Sequence, residues 1–216
     1  MGPLPPVTRA LLIICVLVFV LQNMVGAEDW LLIHMALWPT LFNDANLPVA
    51  LGGYPEFRPW QLLTYGFMHG SPSHLLFNGF ALWMFGGSLE KFWGARPYLT
   101  YVLVAIVGAG MVQWLVGTLG GQPYPTVGIS GGVFGVLLGF GMMFPNRQLM
   151  LLIPPIPMKA RTLVVVYALF ELYMGVFTSG GGVAHFAHLG GLATGWLMIL
   201  YWRGSLPFKP KRILRY

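Results

Sequence analysis

No charged residue interrupts the chain from Ala10 to Ala27, a run that at about 1.5 Å per residue is nearly long enough to cross a hydrocarbon core of roughly 30 Å. Comparable apolar runs recur at about 74–89, 98–119, 130–144, 162–177 and 183–202. The pattern predicts six membrane spans (the first at about 10–27) in an all-α bundle, with connections too short for a second domain, so that residues 1–216 form one membrane domain. Between the first two runs the pattern breaks up. Trp30–Leu41 is apolar but short and is followed by Asn, Asp, Gly and Pro, which predicts an interfacial or re-entrant element with Trp30 and Trp38 as headgroup anchors. The stretch Leu149–Ile153 ends at Pro154 and Pro155 and is expected to be a shallow connection. Arg9 ahead of the first run and the small residues at Val25, Gly26 and Ala27 also fit a cleaved signal peptide, an alternative that leaves the later topology intact.

Composition agrees with the pattern. Of 216 residues, 56% are hydrophobic and 8% charged, too apolar a chain to hide its surface in one soluble core. The net charge of +6 does not point to nucleic acid, because the basic residues flank apolar runs instead of sharing a face with aromatics. They do set an orientation. With six spans, Arg9, Lys91, Arg96, Arg147, Lys159, Arg161, Arg203, Lys209, Lys211, Arg212 and Arg215 fall on one side and Arg58 alone on the other, so both termini are expected to be cytoplasmic. The lone Cys15 excludes an intrachain disulfide.

Chemistry enters at Gly128-Ile129-Ser130-Gly131-Gly132-Val133-Phe134-Gly135, a serine among glycines where the fourth run begins. A serine hydroxyl is a poor nucleophile without a base in reach, and His188 in the sixth run can supply one. Gly131, Gly135 and Gly139 on one run and Gly191 and Gly195 on the other recur every four residues, a spacing that lets two membrane helices approach closely. His188 shares a stripe with Gly191 and Gly195 and is preferred as the base; His185, one turn outward, is expected to support it or contact water. His74 and Asn78 stand at i and i+4 and can aim donors at one point. The fourth run is about 21 Å long as a helix, which sets Ser130 below the outer surface. Glu171 is the one acid inside a span, at a similar depth. The histidines are read as lacking the thiolate or carboxylate companions of a zinc site, so no metal or cofactor is expected.

The Gly-Ile-Ser-Gly motif at Ser130, the Ala-His-Leu-Gly-Gly-x-x-x-Gly pattern at His188, and His69-x-x-x-x-His74-x-x-x-Asn78 together resemble the bacterial rhomboid intramembrane serine proteases. The resemblance covers all six runs, and its three motifs fall on the expected runs in the expected order. It implies that Ser130 is the nucleophile and His188 the general base of a Ser-His dyad. It further implies an oxyanion hole of His74, Asn78 and the Ser130 amide, with Gly128 on the substrate-binding side. Phe134 matches an aromatic position that stacks on the base, where many relatives carry tyrosine. Trp60-Gln61 matches a Trp-Arg pair and puts the role of that arginine in question here. Glu171 is left as a packing or gating group, and His69 as support for the first outer loop. The implied substrates are membrane-anchored, single-span proteins in a bacterial inner membrane, cut near the outer face. An inactive relative that binds membrane clients, and a transporter with a histidine proton relay, are the other classes that the chain admits.

Overall fold

The computed structural model describes residues 3–24, 27–39, 55–120, 124–150, 155–177 and 184–210. The signal-cleavage residues Val25 and Gly26, the end of the interfacial element at Leu41, most of the Leu149–Ile153 connection with Pro154, the start of the sixth run at Val183 and the last basic residues lie outside them.

Helix α1 spans Pro6–Gln22, where the uncharged run alone predicted about 10–27. Its start is set by a cap that hydropathy does not encode. Glu90 accepts from Val7 N at 2.8 Å, Thr8 N at 2.7 Å and Thr8 Oγ1 at 2.8 Å, so a buried carboxylate meets the positive end of the helix and lets Thr8 and Arg9 join it. At the other end Asn23 Nδ2 donates back to Phe19 O at 2.7 Å. Helix α2, Glu28–Met35, fills the first part of the interfacial segment. Trp30 is exposed there, but Trp38 is buried and donates from Nε1 to Leu32 O, so only the first of the two expected anchors lies at the surface.

After α3, Gln61–Thr64, and a 3-10 turn, the second run forms one rod. It consists of α4, Pro72–Ala81, a π-helical segment over Leu82–Gly86, and α5, Gly87–Trp93, and it stops at Gly94 with φ +86°. Ser71 caps this rod by accepting from His74 N at 3.1 Å, ahead of Pro72. Helices α6, Ala95–Leu119, and α7, Ser130–Met143, follow. Strands β1, Gln148–Met150, and β2, Pro157–Lys159, then pair antiparallel with Leu149 opposite Met158. This pair of three-residue strands is a small addition to a mostly helical chain, with Leu149 and Met158 half-buried between exposed neighbours. Helices α8, Ala160–Phe177, and α9, His185–Trp202, complete the chain.

Helix α9 packs between α6 and α7, and the α4–α5 rod, α1 and α8 surround that centre. Apolar side chains such as Tyr98, Tyr101, Ile106 and Phe140 fill the interior, and apolar side chains also cover the outside. Thr8, Gln61, His69, Asn78, Glu90, Glu171 and His188 are buried, while Leu17, Phe77, Leu115, Phe170 and Leu197 stand outside, an arrangement that suits lipid and would be unstable in water. By length and hydropathy alone, α6 and α8 can each cross a bilayer; α1 with 17 residues and α7 with 14 are apolar but shorter.

Candidate active site

Ser130 is the first residue of α7. The N–H groups of that first turn have no partners within the helix, and Ile129 before it supplies no side-chain cap, so donors and the positive end of the helix dipole face outward beside the hydroxyl. Gly128 has φ +122° and donates to Tyr65 O at 2.9 Å, turning the chain into the helix. A β-carbon at Gly128 would lie 2.6 Å from His74 Cε1, so the His74 ring rests directly on this glycine, two residues from Ser130.

The glycine rows meet as the spacing predicts. A β-carbon at Gly191 would collide with the carbonyl of Gly131, and one at Gly135 would lie 3.2 Å from the carbonyl oxygen of Gly191. Tyr101 Oη donates to Gly135 O at 2.7 Å and Tyr65 Oη to Ile106 O at 2.8 Å, fixing α6 in the same layer. This approach brings His188 Nε2 to 2.8 Å from Ser130 Oγ, across a sequence separation of 58 residues. Phe134 stacks on the His188 ring at 4.3 Å between centroids and 11° between planes, so the imidazole is held on one face.

Asn78 is buried and its Nδ2 has no partner among the described residues, which leaves a donor in an apolar setting. His74 lies one turn before it on the same helix and meets His69 edge-on at 5.1 Å. His69 is buried with both ring nitrogens unpartnered among the described residues, and its backbone is tied to Gln22 by two bonds, Gln22 Nε2 to His69 O at 3.3 Å and His69 N to Gln22 Oε1 at 3.0 Å. Burial foremost, and then the charge of His74, push the His69 imidazole down to about 4. A cavity of about 160 Å³, lined by Gln22, Glu28, His69, Ser71 and Val127 among others, opens beside it. Gln61 is fully buried and accepts from Arg58 N at 3.2 Å and Trp38 N at 3.4 Å while donating to Ile33 O, so the amide ties the segment between α1 and α4 together where the resemblance led one to look for an arginine.

The expectation that the histidines have no carboxylate companion is corrected. Glu171 on α8 places Oε2 2.6 Å from His185 Nδ1 and 2.9 Å from His188 Nδ1; the first is an aligned hydrogen bond, the second a close contact without that alignment. The donor atoms of Glu171, His185 and His188 lie within 4.8 Å of one another, the only such cluster among the described residues. Two donors on one tetrahedral ion at about 2.0–2.1 Å each lie roughly 3.3 Å apart, so the two short contacts have the spacing of direct pairs and would have to open to admit a cation. What the sequence did not signal is that one carboxylate oxygen lies against both rings.

Comparison with known proteins agrees with this constellation. Residues 56–205 match the Rhomboid domain family. The rhomboid protease GlpG of Klebsiella pneumoniae, in each of two strains, is 30% identical to the chain over 194 residues, covering 89% of this chain and 62% of the relative. The chain thus spans less than two thirds of the length of the curated relatives it matches. A family match that runs from the segment ahead of α3 to the end of α9 and includes every residue of the Ser130–His188 contact places the chain in the rhomboid family.

Proposed function

We propose that this chain is an intramembrane serine endopeptidase that cuts single-span, membrane-anchored proteins near the outer face of a bacterial inner membrane. The observation that carries this is the 2.8 Å contact of His188 Nε2 with Ser130 Oγ at the amino end of α7. In this reading Ser130 attacks the scissile carbonyl carbon while His188 Nε2 takes the hydroxyl proton. The tetrahedral oxyanion is held by His74, Asn78 and the backbone amide of Ser130, with Gly128 shaping the adjoining substrate-binding wall. The protonated His188 then gives its proton to the leaving amine, and water hydrolyses the acyl-enzyme by the same route. Support for the oxyanion roles comes from the unpartnered Asn78 amide, the His74 ring on Gly128 and the free first-turn amides of α7.

The reading keeps six spans, with the α4–α5 rod as the second and both termini cytoplasmic. Substrate arrives sideways, since soluble chains do not enter hydrocarbon cheaply. Local unwinding then exposes a peptide bond, which glycine and proline ease because they cost roughly 1 and 3 kcal/mol relative to alanine inside a helix. Purified protein treated with a fluorophosphonate tests the assignment. Covalent labelling of the wild type that disappears in folded Ser130→Ala is expected. Labelling that survives in Ser130→Ala would refute the nucleophile, and no labelling of the wild type would favour a client-binding or transport role instead.

A further inference from the structure

Glu171 has no part in a two-residue mechanism, yet its position is unusual. It is the only buried residue in the C-terminal half of α8; the other buried residues of that helix are Ala160, Leu163 and Val164 near its start. A carboxylate is costly at such a depth unless hydrogen bonds compensate, and its one short aligned bond comes from His185. The same oxygen sits 2.9 Å from the ring nitrogen of His188 that faces away from Ser130.

We propose that Glu171 is a positioning residue for His188, resting on the dyad reading above. Its carboxylate keeps the proton of neutral His188 on Nδ1, leaving the Nε2 lone pair directed at Ser130 Oγ. The physical basis is simple. An imidazole has one proton in its neutral form, and a carboxylate oxygen at 2.9 Å from Nδ1 repels a lone pair there and attracts an N–H. When Nε2 takes the serine proton, the ring becomes a cation with Glu171 already beside it; the carboxylate remains unprotonated and the proton leaves later with the amine. His185 holds the carboxylate from its other side, and because both rings use one oxygen, the His188 contact is short but poorly aligned. Such contacts commonly tighten when substrate fills the site.

The groups facing His188 are Ser130 and Phe134 from α7, Glu171 from α8 and His185 from α9 itself, while His74 of α4 lies against Gly128, two residues from Ser130. Helix α6 meets α9 here through Ala109 and Val112, both apolar. Among these, Glu171 is the one anion, so its removal makes the imidazolium harder to form.

The test is a comparison of Glu171→Gln and Glu171→Asp with wild type, on a single-span reporter in liposomes across pH 5–9. In a serine protease triad the loss of the orienting carboxylate lowers turnover by up to about 10⁴-fold. Here the poorer alignment and the sharing with His185 set the expected loss for Glu171→Gln at roughly 10- to 100-fold in kcat, with KM within about threefold. The acid limb of kcat/KM should move to lower pH by about one unit, because a base without its anion is protonated less readily. Glu171→Asp should recover most of both effects. A folded Glu171→Gln with unchanged kcat and acid limb would overturn the proposal, and so would a loss confined to KM, which is what a helix latch alone would give. Nitrogen NMR of histidine-labelled wild type supplies the check that needs no variant: protonated Nδ1 on His188 is expected, and protonated Nε2 would overturn the assignment. Ser130→Ala run in parallel separates the two levels, since cleavage there would remove the dyad reading itself.

Discussion

The two helices that meet at Ser130 and the helix that carries Glu171 are held in opposite ways. Ten of the 14 residues of α7 are buried, and α7 touches α9 backbone to backbone at Gly131 and Gly191. Only four of the 18 residues of α8 are buried, and along its C-terminal half Glu171 is the one that is. Ser130 and His188 therefore sit on a joint that cannot shift without a clash, while Glu171 rides on a helix whose outward flank is exposed apolar side chains such as Phe170, Tyr173 and Phe177. On the proposed function, a chain that keeps a 2.8 Å contact and still admits a transmembrane substrate needs both kinds of packing. Entry of substrate beside α8 is the route proposed on that contrast, and a disulfide pinning α8 to the α4–α5 rod should slow cleavage of a membrane-anchored reporter.

The contrast breaks most severely at Gly191. A 1 Å misplacement of reacting groups costs on the order of 10²-fold, and Gly191→Val asks α9 to move farther than that, so a loss of roughly 10³-fold or more is expected in reporter cleavage. Gly175→Ala on α8 is its counterpart: the added carbon would lie 3.3 Å from His185 Cβ, and a change under about threefold is expected because α8 can give. Equal losses for the two would mean that α8 is as rigid as the central pair.

Asn78→Ala sharpens the account of the fixed side. Removing one oxyanion donor should lower kcat by roughly ten- to a thousandfold with little change in KM. A pure KM effect would reassign Asn78 to substrate binding. On the α8 side, His185→Ala should keep measurable activity, within about tenfold of wild type, because the hydrogen bond of His185 goes to Glu171 and it meets His188 only by an edge-on ring contact. Complete loss in a folded protein would mean that the wrong histidine has been taken for the base.

Much of this was legible in the sequence where one residue type has one physical use. Glycines every fourth residue announced the α7–α9 approach, and polar residues inside apolar runs marked Ser130, His74, Asn78 and His188. Features that depend on partners far along the chain were not legible. Glu90 and the start of α1 are 82 residues apart, so hydropathy placed the helix by charge and missed the cap that draws Thr8 and Arg9 into it. The β-hairpin escaped because three-residue strands leave no period to read. The contact of Glu171 with both rings was not legible, since the faces of α8 and α9 that meet are set by packing.

The smallest expected effect concerns stability. His69 is neutral in the folded chain down to about 4, against an ordinary 6.5 when unfolded, so the unfolded chain binds more protons between those values. Stability should therefore fall as pH drops from 6.5 toward 4 and be unaffected by this group above that window. Thermal unfolding in detergent at pH 7 and pH 5 should show a smaller drop for His69→Phe than for wild type; equal drops would mean that the ring is solvated.

The central claim is that the Ser130–His188 contact performs peptide-bond hydrolysis within a membrane. Its most direct measurement is cleavage of a single-span reporter bearing a Gly-Pro pair at its outer end, by wild type, Ser130→Ala and His188→Ala, reconstituted in liposomes and each verified as folded. Wild type should cut near that pair and both variants should be inactive; cleavage by folded Ser130→Ala at the wild-type rate would contradict the account.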